Sequence, residues 1–122
     1  MFITGVDFVA LQTADYEAAA AFYRDVLELP FLKRWGDMPA GEFQAGNLTL
    51  ALMQSDAFGM DFRPGSAPVA LAVEDVEATR AQLEERGVEF MMDTLDSGVC
   101  FQAFFKDPDG NPLILHHRYA PA

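Results

Sequence analysis

Few side chains in this sequence can take part in acid–base, nucleophilic or metal chemistry near neutral pH. The two histidines, His116 and His117, are adjacent, and Cys100 is the single cysteine. Because neighbouring strand residues point to opposite faces of a sheet, the two imidazoles cannot enter one site. His116 is a candidate general base or a candidate hydrogen-bond donor to a ligand, or it has no functional role. We expect His117 to point outward. We expect Cys100 to be a packing residue, because nothing near it in the sequence would lower the pKa of its thiol.

The distribution of possible metal ligands argues against a metal centre. A divalent ion needs several nitrogen, oxygen or sulfur donors that converge on one point. The sequence has no Cys-x-x-Cys and no His-Glu-x-x-His pattern, and the spacing of Asp7 and Asp61 does not bring these carboxylates together. The sequence therefore predicts neither a metal ion nor another cofactor.

Length, charge and cysteine usage narrow the class of protein. The chain has 122 residues, of which 51% are hydrophobic, so we expect one globular domain over residues 1–122. Its formal net charge of −11 argues against nucleic acid and anionic membranes as partners and permits a cationic ligand. No apolar run approaches the roughly 20 residues of a membrane span, and the first residues lack a signal-peptide pattern. Together with the single cysteine, these features favour a cytoplasmic protein.

The sequence contains an internal repeat. The letters VAL, followed four residues later by D-x-E-A, begin at Val9 and again at Val69, an offset of 60 residues. Gly-Asn dipeptides at Gly46 and Gly110 lie 64 residues apart. Two anchors in the same order indicate two copies of one unit. We expect repeat one over about residues 1–54, a linker over 55–67 and repeat two over about 68–122.

Each repeat is predicted to fold as a strand, a helix and three further strands. Asp15 is a good N-cap for a helix over residues 18–27, which Pro30 prevents from continuing. Asp75 caps a second helix that extends to residue 86, and Gly87 follows at the position of a left-handed C-cap. The strands are expected over residues 6–12, 31–35, 42–45 and 48–54, and over residues 68–73, 88–92, 99–105 and 113–117.

Two motifs resemble signatures of one protein family. Residues 21–27 (AFYRDVL) resemble the first-helix signature, and residues 107–111 (DPDGN) the last-hairpin signature, of the vicinal-oxygen-chelate superfamily of glyoxalase, bleomycin-resistance and dioxygenase domains. The sequence departs from the family at Glu28, where a glycine usually follows the helix. The resemblance implies an α+β fold in which two βαβββ repeats form a curved mixed sheet, or cup, with the helices outside. It also implies a homodimer.

Metal-dependent members of that family place His or Glu at four positions inside the cup. The resemblance carries these positions over to Phe8 and Pro68 at the first strand of each repeat, and to Leu50 and Ile114 on the last strand. All four side chains are apolar and offer no donor atom. We therefore expect no metal there, which excludes metal-dependent glyoxalase, epimerase and extradiol dioxygenase chemistry.

Strand alternation predicts which side chains line the cup. We expect the face of Phe8, Ala10 and Gln12 in the first strand and the face of Leu50 in the fourth to line it together. The full set of expected ligand-binding residues is Phe8, Ala10, Gln12, Trp35, Phe43, Leu50, Leu52, Pro68, Phe101, Ile114 and His116. The residues expected to form the core under the helices are Val9, Leu11, Val69, Leu71, Val73, Leu113 and Leu115. The sequence does not fix which way the strand of Phe101 faces, and any of these aromatic side chains could simply fill space.

An apolar, partly aromatic cup with few polar groups is typical of a small-molecule pocket. The first hypothesis is a metal-independent protein that binds or sequesters a small apolar or aromatic molecule, as the antibiotic-resistance members of the family do. The second is a metal-independent lyase or isomerase acting on a carbonyl compound, with His116 as the proton carrier. The sequence leaves open whether the protein is an enzyme. The apolar linker segment from Phe58 to Phe62 could be a lid, contact another protein chain or pack on its own sheet.

Overall fold

The computed structural model describes residues 2–121 and divides into two compact units, Met1–Pro64 and Gly65–Ala122. Each unit contains one α-helix and one four-stranded mixed sheet. The α+β fold with two βαβββ repeats is therefore confirmed. The boundary between the units falls inside the segment 55–67 that the sequence indicates as the linker. Among residues 2–121, no helix is both long and apolar enough to cross a membrane.

Unit 1 forms a sheet in the order β1-β4-β3-β2, in which β1 and β4 are parallel and the other neighbours are antiparallel. Its elements in chain order are β1 (Val9–Thr13), α1 (Tyr16–Ala21), a π-helical turn (Phe22–Val26), β2 (Phe31–Arg34), β3 (Ala40–Ala45), β4 (Leu48–Gln54) and a short 3-10 helix (Ser55–Phe58). The first strand starts three residues later than expected, and β4 has the bounds that the sequence predicts.

The first helix begins directly after its predicted capping residue, and it changes from an α-helix to a π-helical turn before it ends. The Asp15 carboxylate accepts a hydrogen bond from the backbone N–H of Ala18 at 3.2 Å, which satisfies a donor that the helix leaves free. The expected α-helix over 18–27 is wrong in its second half, because the backbone widens there and Leu27 N–H donates to Phe22 O. Glu28 then adopts a left-handed conformation with φ 58°, the position where the family usually has glycine.

Unit 2 repeats this arrangement in the order β5-β8-β7-β6, with β5 and β8 parallel. Its elements are β5 (Val69–Ala72), α2 (Val76–Glu85), β6 (Leu95–Asp96), β7 (Cys100–Lys106) and β8 (Pro112–Arg118). Asp75 caps α2 by accepting from Ala78 N–H at 3.0 Å, and Gly87 follows the helix with φ 91°. Both predicted helix signals of this unit are confirmed.

The expected strand over residues 88–92 is wrong. Within that segment only Phe90 forms a bridge, to Phe105, and the edge strand of the sheet is Leu95–Asp96 instead. The Phe90 ring packs on Phe105 with centroids 5.1 Å apart, and the Arg80 guanidinium lies 4.7 Å from the Phe90 centroid. These contacts anchor one side chain of the segment without continuing a ladder of backbone hydrogen bonds.

The core of each unit lies between its helix and its sheet. Tyr23, in the π-helical turn, is fully buried and contacts Phe43 with ring centroids 6.2 Å apart. Other buried residues on the helix side of unit 1 include Leu11, Ala19, Leu50 and Leu52, while Ala40 and Ala51 are buried on its other side; those of unit 2 include Val76, Leu83, Ala103, Phe105, Leu113 and Leu115. The helices thus cover one face of each sheet with hydrocarbon, and any ligand-binding residues must come from the other face or from the loops.

Candidate functional site

Strand register assigns the side chains of unit 1 to two faces. Residues that pair across neighbouring strands point to the same side of a sheet. Ala10 pairs with Ala51, Ala51 with Glu42, and Glu42 with Lys33, so these four residues form one row across the sheet. The row lies on the side opposite the helix, since the intervening residue Phe43, which pairs with Leu50, packs on Tyr23 of the helical segment. We call this side the helix-free face of unit 1.

The structure corrects three of the expected cup residues in this unit. Leu50 pairs with Val9 and with Phe43, and Leu52 pairs with Leu11, so Leu50, Leu52 and Phe43 lie on the helix side. All three are buried there. The expectation that Leu50 shares a face with Phe8 is therefore wrong.

The reason for this error is a difference between the two hairpins. Gly46 belongs to a two-residue turn that joins the paired residues Ala45 and Leu48. In unit 2 the paired residues Lys106 and Pro112 enclose a five-residue turn, 107–111. The two Gly-Asn dipeptides are consequently not equivalent. A slip of one residue in such an alignment moves every side chain of the strand to the opposite face.

Three aromatic rings gather on the helix-free face of unit 1. The Trp35 indole makes an edge-on contact with Phe8, with centroids 5.6 Å apart and an interplanar angle of 71°. Its contact with Phe58 is also edge-on, at 6.4 Å and 87°. Phe8 is 43% exposed, and Trp35 and Phe58 are half-buried. The structure thus brings together the predicted residues Phe8 and Trp35 and adds Phe58 from the linker segment.

Glu42 is a functional candidate that the sequence analysis missed. Its carboxylate Oε2 accepts a 2.6 Å hydrogen bond from Trp35 Nε1 and lies 3.8 Å from Lys33 Nζ. The Glu42 side chain is only 18% exposed. Alternation along the predicted strand over 42–45 could have identified it, since Glu42 is the one charged residue of that strand and must face away from Phe43.

Gln12 is held in place beside this cluster. Its side-chain Oε1 accepts a 2.8 Å hydrogen bond from the buried Ser55 hydroxyl, at the start of the 3-10 helix that carries Phe58. Gln12 pairs with Met53 in the parallel strands, so it lies on the helix-free face two residues from Ala10. Its expected role, orienting a ligand through its amide, stays a prediction.

The helix-free face of unit 2 carries the group of residues that alternation predicts. Ala70 pairs with Ile114 and Ala72 with His116, which confirms that these four share a face. Gln102 pairs with His116 across the antiparallel strands. Pro68 directly precedes β5. The face is mainly apolar with one imidazole, and the ligand-binding roles of Pro68, Ile114 and His116 stay predictions.

Phe101 and His117 lie on the other side of the unit 2 sheet. They pair with each other across β7 and β8, next to the pair of Gln102 and His116. Because adjacent pairs point to opposite sides of a sheet, Phe101 and His117 face away from His116. His117 Nδ1–H donates to Val73 O at 3.0 Å, which fixes the imidazole beside the start of α2. Both side chains line a depression of about 240 Å³ together with Glu74, Asp75, Val76 and Glu77. The expected outward position of His117 is confirmed, and placing Phe101 in the cup was wrong.

Cys100 is buried at the start of β7. Ser97 Oγ lies 3.0 Å from its sulfur and Gln102 Nε2 lies 3.5 Å from it, and these hydrogen bonds lower the pKa of the thiol from its usual value. The expectation that no neighbouring residue would lower the pKa of this thiol is therefore wrong. The low exposure still favours a packing role.

The donor chemistry of these faces does not fit a metal ion. Strand register shows that the residue of unit 1 equivalent to Ile114 is Ala51 and not Leu50. Ala51 pairs with Ala10 in the parallel strands of unit 1, just as Ile114 pairs with Ala70 in those of unit 2. Alanine offers no donor atom either. Among residues 2–121, no three His, Cys, Asp or Glu side chains gather closely enough to hold a metal ion.

The paired βαβββ units, the Asp caps and the signature residues define a class of protein. The chain belongs to the Glyoxalase/Bleomycin resistance protein/Dioxygenase superfamily, whose family model matches residues 5–115. A comparison with curated protein sequences gives no match.

Solved structures resemble the chain over nearly its whole length. It is similar to TnmS3, an antibiotic-binding protein from Streptomyces sp. CB03234, with 28% sequence identity and a TM-score of 0.79 over 97% of this chain and 98% of that chain. A superfamily member from Sphaerobacter thermophilus has 22% identity and a TM-score of 0.80, covering 95% of this chain and 98% of its own. Lactoylglutathione lyase from Agrobacterium tumefaciens has 19% identity and a TM-score of 0.76, covering 95% of both chains. The likeness to the last two is evidence for the fold alone.

Proposed function

We propose that this protein binds and sequesters a small apolar or aromatic molecule without the help of a metal ion. The observation that carries the proposal is the aromatic cluster of Trp35, Phe8 and Phe58 on the helix-free face of unit 1. Partly exposed rings offer a planar ligand both stacking contacts and apolar area to bury. Ala10, on the edge strand of the same sheet, is exposed and adds only a small side chain to the neighbouring surface.

The similarity to an antibiotic-binding protein supports the same proposal. TnmS3 has 28% sequence identity to the chain over nearly its full length. A binding protein needs shape and apolar contact area, and it needs no general acid or base. The donor-poor faces of both sheets satisfy the first requirement, and His116 is the single imidazole among the strand residues that register assigns to them.

Intrinsic fluorescence offers a direct test, because Trp35 is the single tryptophan of the chain. A panel of aromatic antibiotics and metabolites is titrated into the protein while tryptophan emission is recorded. We expect at least one compound to quench the emission saturably, and the variant Phe8→Ala to weaken its binding about tenfold through lost apolar contact. The matched control is Phe2→Ala, which removes an exposed ring outside the cluster. Equal binding by both variants would argue against this face as the site.

Metal independence is tested with the same titration. Protein dialysed against EDTA and protein supplemented with zinc, nickel or manganese should give the same binding curves, because the helix-free faces lack donor sets for these ions. A chelator that abolishes quenching would contradict the proposal.

We further propose that the protein is a cytoplasmic homodimer. Sedimentation tests the oligomeric state, and cell fractionation tests the localisation.

The alternative function is a metal-independent lyase or isomerase on a carbonyl compound. It rests on His116, which strand register places on the helix-free face of unit 2, between its backbone partners Ala72 and Gln102. In that case His116→Ala abolishes turnover of such a substrate and spares the circular dichroism spectrum. Unchanged turnover in the variant excludes His116 as the proton carrier.

A further inference from the structure

The helix-free face of unit 1 carries its charge at one place. Among the described strand positions that register assigns to this face, Glu42 is the single carboxylate and Lys33 the single cation. The equivalent of Glu42 in unit 2 is Phe104, because both pair with equivalent positions, Ala51 and Ile114. The fold therefore accepts a hydrocarbon side chain at this position. The sheet of unit 1 therefore does not need the Glu42 carboxylate in order to fold.

The contacts of Glu42 leave room for another cation. Trp35 Nε1 and Lys33 Nζ both approach the same oxygen, Oε2. The lysine nitrogen is 3.8 Å away, which is too long for a hydrogen bond, and the Lys33 side chain is 67% exposed. An ion pair at this distance, with the lysine in solvent, contributes little stability. A ligand cation that is itself desolvated by the aromatic rings can therefore replace Lys33 at the carboxylate at low cost.

The rings beside Glu42 suit a cation as well as a planar group. Phe8 and Phe58 both stand across the plane of the Trp35 indole, at 71° and 87°. An edge-on contact occupies one face of one ring, so these two contacts use at most two of the six ring faces. The hydrogen bond from the indole N–H to a carboxylate also polarises the indole toward a more negative face. Aromatic faces arranged at right angles next to a carboxylate are the surroundings that bind alkylated ammonium groups.

We propose that the ligand of this face is an aromatic molecule carrying a positively charged nitrogen, with the charge held by Glu42 and the Trp35, Phe8 and Phe58 rings. This inference rests on the proposed function, since it names the chemical class of the molecule bound at the same site. The net charge of −11 acts in the same direction, because it raises the local concentration of cations around the protein.

The experiment compares two probes of nearly equal shape, 10-methylacridinium and acridine, at a mildly alkaline pH where acridine is neutral. Binding is followed through quenching of Trp35 emission. We expect wild-type protein to bind the cation about tenfold more tightly than the neutral ring, and we expect Glu42→Gln to bring the ratio of the two affinities close to one. Glu85→Gln, on α2 of the other unit, changes the net charge equally and should keep the preference. Lys33→Met removes the competing cation and should strengthen binding of 10-methylacridinium.

The outcomes separate this inference from the proposed function. Quenching by both probes without a preference for the cation, or a preference that survives Glu42→Gln, overturns the inference and leaves the binding function in place. A preference lost equally in Glu85→Gln also overturns it, because the effect would then come from net charge alone. Failure of both probes and of the whole aromatic panel to quench Trp35 contradicts the proposed function itself.

Discussion

The indole N–H of Trp35 donates a 2.6 Å hydrogen bond to the carboxylate of Glu42, seven residues along the chain. The bond links the loop that follows β2 to the centre of β3 and holds the ring over the helix-free face of unit 1. Hydrogen bonds to a charged acceptor are stronger than those between neutral groups, and this acceptor is mostly buried. The position of the aromatic cluster therefore depends on one polar contact.

A double-mutant cycle measures that contact. Trp35→Phe keeps a ring at the site and removes the donor, and we expect it to lower the free energy of unfolding by about 1 kcal/mol beyond the loss of apolar area. In a Glu42→Gln background the same change should cost less, because the charged acceptor is already absent. Urea unfolding followed by circular dichroism gives all four values. A coupling free energy of zero would show that the bond does not stabilise the fold.

Glu28 offers a test of backbone strain. Its φ of 58° lies in the left-handed region, which costs residues other than glycine roughly 1–2 kcal/mol. Glycine adopts this conformation without strain but loses more entropy on folding. We expect Glu28→Gly to raise the free energy of unfolding by about 0.5–1 kcal/mol. Glu28→Ala keeps the strain and should give no such gain, and a less stable glycine variant would contradict this reading.

Gly41 is a position where even one methyl group is too large. A Cβ there would meet the Tyr16 hydroxyl at a distance no real contact shows and would lie 2.9 Å from the Lys33 backbone oxygen. We expect Gly41→Ala to lower the free energy of unfolding by about 1–3 kcal/mol through overpacking. Gly5→Ala, where a Cβ meets nothing within 4 Å, is the matched control and should be neutral. Thermal and urea unfolding of both variants decide the matter.

Asp96 gives a prediction about pH. The Tyr119 hydroxyl donates a 2.6 Å hydrogen bond to its carboxylate, and Gly98 N–H donates another at 2.9 Å. Both lower the pKa of Asp96 from its ordinary value, the Tyr119 bond more strongly. A lowered carboxyl pKa contributes stability above the unfolded-state pKa, and this stability is lost as the pH falls through the folded-state pKa.

Removing the Tyr119 hydroxyl should therefore raise the pKa of Asp96. In Tyr119→Phe the bond from Gly98 remains, so we expect the pKa to move toward its ordinary value without reaching it. Carbon-13 NMR titration of the side-chain carboxyl measures this shift. Asp25, whose pKa is lowered chiefly by its hydrogen bond with Arg24, is an internal control that should titrate unchanged. An identical Asp96 titration in variant and wild type would show that the hydroxyl has no effect.

Local signals in the sequence were sufficient for most of the fold. The N-caps Asp15 and Asp75 act through contacts three residues away, so their chemistry is visible in short segments. The same holds for Gly87, whose left-handed φ follows a helix end. The π-helical turn Phe22–Val26 gave no comparable signal, because its residues also fit an ordinary helix.

The candidate site was harder to predict because it depends on register. Leu50 and Ala51 differ by one position, and only the pairing with Val9 and Ala10 decides which of them faces the helix. Hairpin length controls that pairing, and two similar Gly-Asn dipeptides concealed turns of different length. Alternation could have placed Glu42 on the face away from Phe43, but nothing in the sequence alone brings its carboxylate to the Trp35 indole.

The matching rows across the two sheets also carry an evolutionary consequence. A tandem duplication begins with two identical surfaces, yet position 42 now holds an acid where position 104 holds a phenylalanine. Each position lies on the face away from its helix, so either can mutate while the hydrophobic packing behind it is kept. Divergence of the copies can therefore give one gene two surfaces with unlike chemical preferences, and laboratory selection could retune each half in turn.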